Sequence, residues 1–172
     1  MMNRNILAAL VLLVATPVMA AEQESTTNIN GTWTGTGYVQ KDENSRKINV
    51  TCEIEGEQEG ADISFEGACR AMLIMKRAIG AQLKQVGEGF VGTYKGADAG
   101  IAELDGGRPT PDKMVLQMRF PREVNGDDVA EMIIDHPEAD AFTITTTDVM
   151  SSGVEIVTSS IRFEREDSVA AK

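Results

Sequence analysis

The chain contains two cysteines, Cys52 and Cys69, and each lies in a segment where apolar and polar residues alternate. The apolar residues are even-numbered in 47–56 and odd-numbered in 61–70. This period of two is typical of half-buried antiparallel strands. Placing Cys52 opposite Cys69 keeps both apolar faces on one side, as an antiparallel hairpin requires. We therefore predict a disulfide between neighbouring strands, which also sets the register of that hairpin.

Residues 1–20 have the organisation of a bacterial secretory signal peptide. Arg4 precedes an apolar run over 6–14, and a small-residue cleavage site ends at Ala20. The run is too short to span a bilayer. Cysteine pairs in exported proteins form disulfides, and a redox or metal role for this pair would call for C-x-x-C spacing or a nearby histidine. We expect a periplasmic or secreted protein with no membrane span after cleavage.

Alternating segments continue through the chain and are separated by clusters of turn-forming residues. Short strands at this spacing, without helices between them, are typical of a sandwich or a meandering barrel. We predict an all-β fold, an antiparallel up-and-down β-barrel of about eight strands with one disulfide. The candidate strands are 31–40, 47–56, 61–70, 89–95, 100–104, 113–120, 129–135, 140–148 and 154–165.

The segment 71–84 fits two structures. Met72, Met75 and Ile79 fall at helical spacing, whereas Ala71 and Met75 also continue the apolar face of the preceding strand. Alanine, methionine, leucine and lysine favour a helix. We expect a strand extension followed by a short helix.

Charge and polarity set the partners and the limits of the folded domain. Lys and Arg number 16 against 27 Asp and Glu, a net charge of −11, which opposes binding to nucleic acid. The residues next to the signal peptide and at the carboxyl end are polar and typical of unfolded chain. We divide the chain into signal peptide 1–20, flexible arm 21–28, barrel domain 29–165 and disordered tail 166–172.

Three short motifs resemble those of lipocalins and their calycin relatives. Gly-Thr-Trp at 31–33 matches the G-x-W opening of the first strand, and Thr-Asp at 147–148 matches the start of the T-D-Y turn. Arg162 lies on the last strand, where those barrels place an arginine over the tryptophan. The pattern is broken at Val149, where a tyrosine is expected. The resemblance implies an up-and-down barrel that carries a small hydrophobic ligand in an apolar interior.

A second resemblance is to the bacterial metalloprotease-inhibitor barrels. Those proteins also open with G-x-W and link two neighbouring strands by one disulfide, an arrangement that Cys52 and Cys69 fit. This resemblance implies the alternative function, a non-catalytic interaction protein of the cell envelope such as a protease inhibitor or an assembly factor. The segment 21–30 would then contact the partner protein.

The lipocalin resemblance predicts an exported periplasmic binding module for a small apolar, lipid-like ligand. Gly35 and Gly37 lie on the Trp33 face of the first strand and leave room for close strand packing or for a cavity. Inward-facing aromatic and apolar side chains are the candidate ligand contacts. These are Trp33, Phe65, Phe90, Tyr94, Met114, Leu116, Met118, Phe142 and Ile144.

Arg70, Lys76, Arg77 and Lys84 lie within fifteen residues that contain no acid. This basic group is either a solvated surface or a contact for an anionic head group, carboxylate or phosphate.

Residues suited to catalysis are few. The only histidine is His136, and Pro137 after it places it near a turn. Asp127 and Asp128 are adjacent, so on a strand their side chains point to opposite faces. Methionine pairs could bind copper(I), but Met114 and the other methionines of its segment alternate along one face, which favours packing. We predict no catalytic residue, no enzymatic activity, no metal and no cofactor.

Overall fold

The computed structural model describes residues 28–72, 75–96, 99–107, 110 and 112–166. The expected signal peptide, the arm before Asn28 and the tail after Glu166 lie outside the described residues. No helix within those ranges is long and apolar enough to cross a membrane. The strands are β1 (Gly31–Val39), β2 (Ile48–Glu59), β3 (Asp62–Ala71), β4 (Met75–Val86), β5 (Gly89–Lys95), β6 (Ile101–Gly106), β7 (Lys113–Val124), β8 (Asp127–Glu138), β9 (Ala141–Val149) and β10 (Glu155–Arg165).

The strands form one closed barrel in which each strand pairs antiparallel with the next, and β10 pairs with β1. Every strand therefore has two neighbours, and the barrel has no unpaired edge. This confirms the predicted all-β, antiparallel, up-and-down barrel. The predicted number of about eight strands is wrong, because the described residues form ten. We call the end where β1 finishes, at Val39, the upper end, and the end where β1 begins, at Gly31, the lower end.

β4 is the one strand that has no counterpart among the nine candidate ranges, and the short helix expected in 71–84 is wrong. β4 pairs with β3 through Phe65 opposite Ala81 and with β5 through Ala81 opposite Tyr94. Ala81 and Leu83 are buried, and the side chains on either side of Leu83 are exposed. Strand partners on both sides outweigh the helix propensity of the segment, because propensity is the weaker of the two effects.

The hairpin of β2 and β3 has the predicted disulfide and the predicted register. Cys52 is bonded to Cys69 with an S–S distance of 2.00 Å. The two cysteines are direct cross-strand partners, and Val50 lies opposite Ala71. Cys52 is buried in the barrel interior.

Two prolines lie inside strands, although the predicted strands stop before them. β7 continues through Pro121, and its register with β8 shifts between Arg119 and Val124. β8 continues through Pro137, and its register with β9 shifts between Asp135 and Glu138. Such irregular positions tolerate a residue that has no N–H to donate.

Large side chains fill the lower end. Trp33 is fully buried, and its Nε1 donates a hydrogen bond of 2.8 Å to the carbonyl oxygen of Ile29. The Trp33 ring meets the edge of Phe142 at a centroid distance of 4.9 Å, and Phe142 stacks on Phe163 at 5.0 Å. The Arg165 guanidinium lies 4.2 Å from the Trp33 ring centroid. The barrel is therefore closed at this end.

The arginine over the tryptophan is Arg165, and the expectation for Arg162 is wrong. Arg165 pairs with Trp33 across β1 and β10, and it also donates to the carbonyl oxygen of Asn30. Arg162 alternates onto the outer face, where its Nε lies 3.3 Å from a carboxylate oxygen of Glu164. The two arginines differ by an odd number of residues, so they point to opposite faces of β10.

Candidate functional site

A cavity of about 430 Å³ opens at the upper end of the barrel. Its walls come from β5 and β7 to β10, together with the end of β1. The inward positions here are small: Ala130 on β8, Thr146 on β9 and Ser159 on β10. Towards the lower end, the inward positions of β9 and β10 are occupied by the stacked rings of Phe142 and Phe163. The change from large to small side chains along the interior creates the cavity.

Tyr94, Met118 and Phe120 form the apolar part of the wall. Met118 and Phe120 are buried, and burial also raises the pKa of the Tyr94 phenol. A side chain at Gly96 would displace the Tyr94 hydroxyl, because a Cβ built there lies 2.3 Å from the hydroxyl oxygen. Gly96 therefore allows the phenol to lie along the cavity wall.

Asp148 supplies an acidic group to the same cavity. The inward face of β9 runs through Phe142, Ile144 and Thr146 to Asp148, whose side chain is 5% exposed. Its Oδ2 accepts a hydrogen bond of 2.7 Å from Nδ2 of Asn125. Its Oδ1 is buried and has no hydrogen-bond partner within the described part of the chain. An acceptor without a partner in a protein interior is uncommon and requires an explanation.

The surroundings of Asp148 favour its neutral form. Burial raises the pKa of the Asp148 carboxyl, the hydrogen bond from Asn125 lowers it, and the nearby negative charge of Asp127 raises it again. The net shift is upward. Asn125 is held in the left-handed region, with φ of 61°, at the tight connection between β7 and β8. This turn places the amide against the carboxylate.

The structure divides the predicted ligand contacts into two groups. Tyr94 and Met118 line the upper cavity. The others point inward but pack in the middle or the lower end of the barrel, where they contribute to the core. These are Trp33, Phe65, Phe90, Met114, Leu116, Phe142 and Ile144.

Sequence reasoning missed Asp148, Asn125 and the small residues of the upper wall. The motif resemblance assigned Asp148 to a turn, whereas it lies within β9. Alternation along β9 from Phe142 through Ile144 carries the inward face to Asp148 and could have identified it. Sequence alternation gives no comparable signal for the cavity itself.

The basic residues do not converge on the cavity. Arg70 and Lys76 are cross-strand partners, and both line a separate groove of about 940 Å³ that runs across β1 to β4. Arg77 pairs with Cys69, which places it on the opposite face from Lys76. Lys84 lies near the lower end of β4, opposite Val91.

His136, for which no catalytic role was predicted, also lies away from the cavity. The backbone N–H of His136 donates to the carbonyl oxygen of Asp112 at 2.8 Å, far along β8 from the upper end. Among residues with described positions, no group of three or more histidines, cysteines and acids is placed to hold a metal ion.

Comparison with known proteins identifies a related fold. No protein-family model and no curated protein matches this chain. Among solved structures, the S-type phycobiliprotein lyase CPES from Guillardia theta matches with a TM-score of 0.51 and 14% identity. The match covers 79% of this chain and 86% of that chain. At this identity the likeness shows the fold alone.

The same comparison corrects one prediction. The sequence led us to expect a protein without enzymatic activity, and a chain of the same fold bears the name of a lyase. That expectation rested on the scarcity of residues suited to catalysis, and it is contradicted because this fold also occurs in a protein named as a lyase.

Proposed function

We propose that this protein binds a small, mainly apolar compound in the cavity at the upper end of its barrel. Ligand sites are concave, mostly apolar and of about 300–1,000 Å³, with a few polar groups that orient the ligand. The cavity of about 430 Å³ has these properties, with Phe120 and Met118 beside the carboxyl group of Asp148. The single observation that carries the proposal is this buried acid facing the cavity.

The free-energy cost of burying the unpaired Oδ1 of Asp148 supports the same proposal. A buried polar atom without a partner destabilises a fold by about 1–3 kcal/mol. Such local conflicts with folding rules are expected at functional sites. A bound compound that satisfies Oδ1 would recover part of that cost.

We also propose that the mature protein acts in the periplasm or outside the cell. Residues 1–20 support export by their signal-like organisation. The disulfide between Cys52 and Cys69 supports it as well, because such bonds persist in oxidising compartments.

Adjacent threonines on β9 give a matched test of the cavity. Thr146 lines the cavity, whereas Thr147 pairs with the exposed Glu131 and faces outward. Thr146→Phe should fill the cavity and weaken binding of the neutral fluorescent probe N-phenyl-1-naphthylamine by at least about tenfold. Thr147→Phe adds the same side chain on the outer face and should leave the affinity within about twofold.

The probe affinity is measured by fluorescence titration, and circular dichroism confirms that both variants fold. Equal affinity in the two variants, or no probe binding to the unmodified protein, would contradict the proposed function.

A further inference from the structure

We propose that the bound compound carries a nitrogen donor, preferably a protonated amine, that hydrogen-bonds to Oδ1 of Asp148. This inference rests on the proposed function and specifies its ligand class: an apolar body that ends in an amine. It differs from the sequence expectation of an anionic head group held by Arg70, Lys76, Arg77 and Lys84.

The hydrogen-bonding capacity of the carboxylate determines what it can bind. An ionised aspartate only accepts hydrogen bonds, and a cation bound beside Asp148 would favour this ionised form over the neutral one. Asn125 donates to Oδ2, and Oδ1 is a buried acceptor without a partner among the described residues, on a side chain that belongs to the cavity lining. A ligand must therefore bring a donor to this point. An ammonium group brings three donors and a positive charge, and charge-assisted hydrogen bonds are stronger than neutral ones.

The negative potential near Asp148 excludes the opposite ligand class. The exposed Asp127 contributes less than burial to the upward shift in the pKa of the Asp148 carboxyl. A ligand carboxylate or phosphate would place a second negative charge beside the buried carboxylate of Asp148. Within the protein interior such repulsion is only weakly screened. The site therefore discriminates between cations and anions.

The other charged groups at the cavity lie at its rim. Lys41, Arg122 and Glu123 line it, and all three are exposed to solvent. Charges in contact with water interact weakly over distance because solvent and salt screen them. The deepest charged group, Asp148, therefore has the largest effect on a ligand that enters the barrel.

None of the four basic residues named from the sequence is among the residues that line the cavity. Arg70 and Lys76 line the separate groove across β1 to β4, and the cavity walls come from β5, β7 to β10 and the end of β1. An anionic head group held by that pair would not lie in the cavity. The geometry therefore assigns ligand recognition to Asp148.

Three compounds with the same ten-carbon chain test the proposal: decylamine, decanol and decanoate. Their affinities are measured at pH 7 by displacement of N-phenyl-1-naphthylamine. We expect decylamine to bind most tightly and decanoate most weakly, with at least about a tenfold ratio between them. This comparison uses the unmodified protein and does not depend on the folding of any variant.

Asp148→Asn keeps the shape of the side chain and an oxygen for Asn125. It should weaken decylamine binding by at least about tenfold and change decanol binding by less than about twofold. Asp127→Asn also removes one negative charge, but from an exposed side chain whose Oδ1 accepts a hydrogen bond from the backbone N–H of Val129. This control variant should still bind decylamine more tightly than decanoate.

The outcomes separate the two proposals. Decanoate binding as tightly as decylamine, or an unchanged amine preference in Asp148→Asn, would overturn the amine proposal and leave the cavity proposal standing. Failure of all three compounds to bind the unmodified protein would overturn both.

Discussion

Replacing Trp33 by phenylalanine tests whether the tryptophan closes the lower end of the barrel or contacts the ligand. Trp33 is fully buried and lies under the Arg165 guanidinium. It is also separated along β1 from Val39, which lines the upper cavity. We therefore expect Trp33→Phe to lower the free energy of unfolding and to leave ligand affinity unchanged.

The expected loss of stability is the sum of three effects of the substitution. The smaller ring leaves a void of about 40 Å³, which costs about 1 kcal/mol. The carbonyl oxygen of Ile29 loses its 2.8 Å hydrogen bond, at a cost of about 1 kcal/mol. The interaction with Arg165 at 4.2 Å weakens over a phenyl ring, at a cost of about 0.5 kcal/mol. Together these predict a loss of about 2.5 kcal/mol.

Urea denaturation followed by circular dichroism measures this loss, and displacement titration with decylamine measures the affinity of the same preparation. The urea midpoint should fall while the m-value stays constant. A loss of stability below about 1 kcal/mol would refute the packing argument. A tenfold loss of decylamine affinity in a folded variant would show that Trp33 belongs to the binding site after all.

Three further predictions concern stability, each measured by urea denaturation. Removing the disulfide by Cys52→Ala with Cys69→Ala should cost about 2–3 kcal/mol, because the bond closes a loop across 17 positions; an unchanged midpoint would contradict this. Gly37→Ala should cost at least about 2 kcal/mol, because its Cβ would lie 2.0 Å from the carbonyl oxygen of Ser160. The control Gly60→Ala meets nothing within 4 Å and should cost about 1 kcal/mol through its φ of +63°; an equal loss in both variants would refute the clash. The free energy of unfolding of Asp148→Asn, relative to that of the wild type, should be higher at pH 7 than at pH 3. The raised pKa of Asp148 means that the folded wild type loses stability as pH rises from the ordinary aspartate value of 3.8 through the folded value. Wild-type stability that rises with pH relative to the variant would contradict this assignment.

The sequence predicted the hairpin of β2 and β3 in detail, because placing the two cysteines opposite each other in alternating segments sets its register. The same alternation could not decide β4, where the spacing of Met75 and Ile79 suits a strand or a helix. The partners of β4 on both sides, which settle the question, lie elsewhere in the chain. The predicted strands also stopped at Pro121, whereas the ladder accommodates it at an irregular position.

The cavity could not be predicted because it depends on which inward side chains meet around the ring. Ala130 lies opposite Asp148, and Thr146 lies opposite both Met132 and Ser159. These layers follow from the register of three strands, including the shift between Val157 and Ser159. The two-residue resemblance at Thr147 and Asp148 gave the wrong role to Asp148, because so short a motif does not show that β9 continues to Val149.

The most direct test of the binding site is nuclear magnetic resonance of the protein titrated with decylamine. We predict shifts of the Ala130 and Met118 methyl signals, which report on the upper cavity, with little change in the indole N–H signal of Trp33 at the lower end. Shifts confined to Trp33, or methyl signals that stay constant at saturating decylamine, would contradict a ligand site beside Asp148.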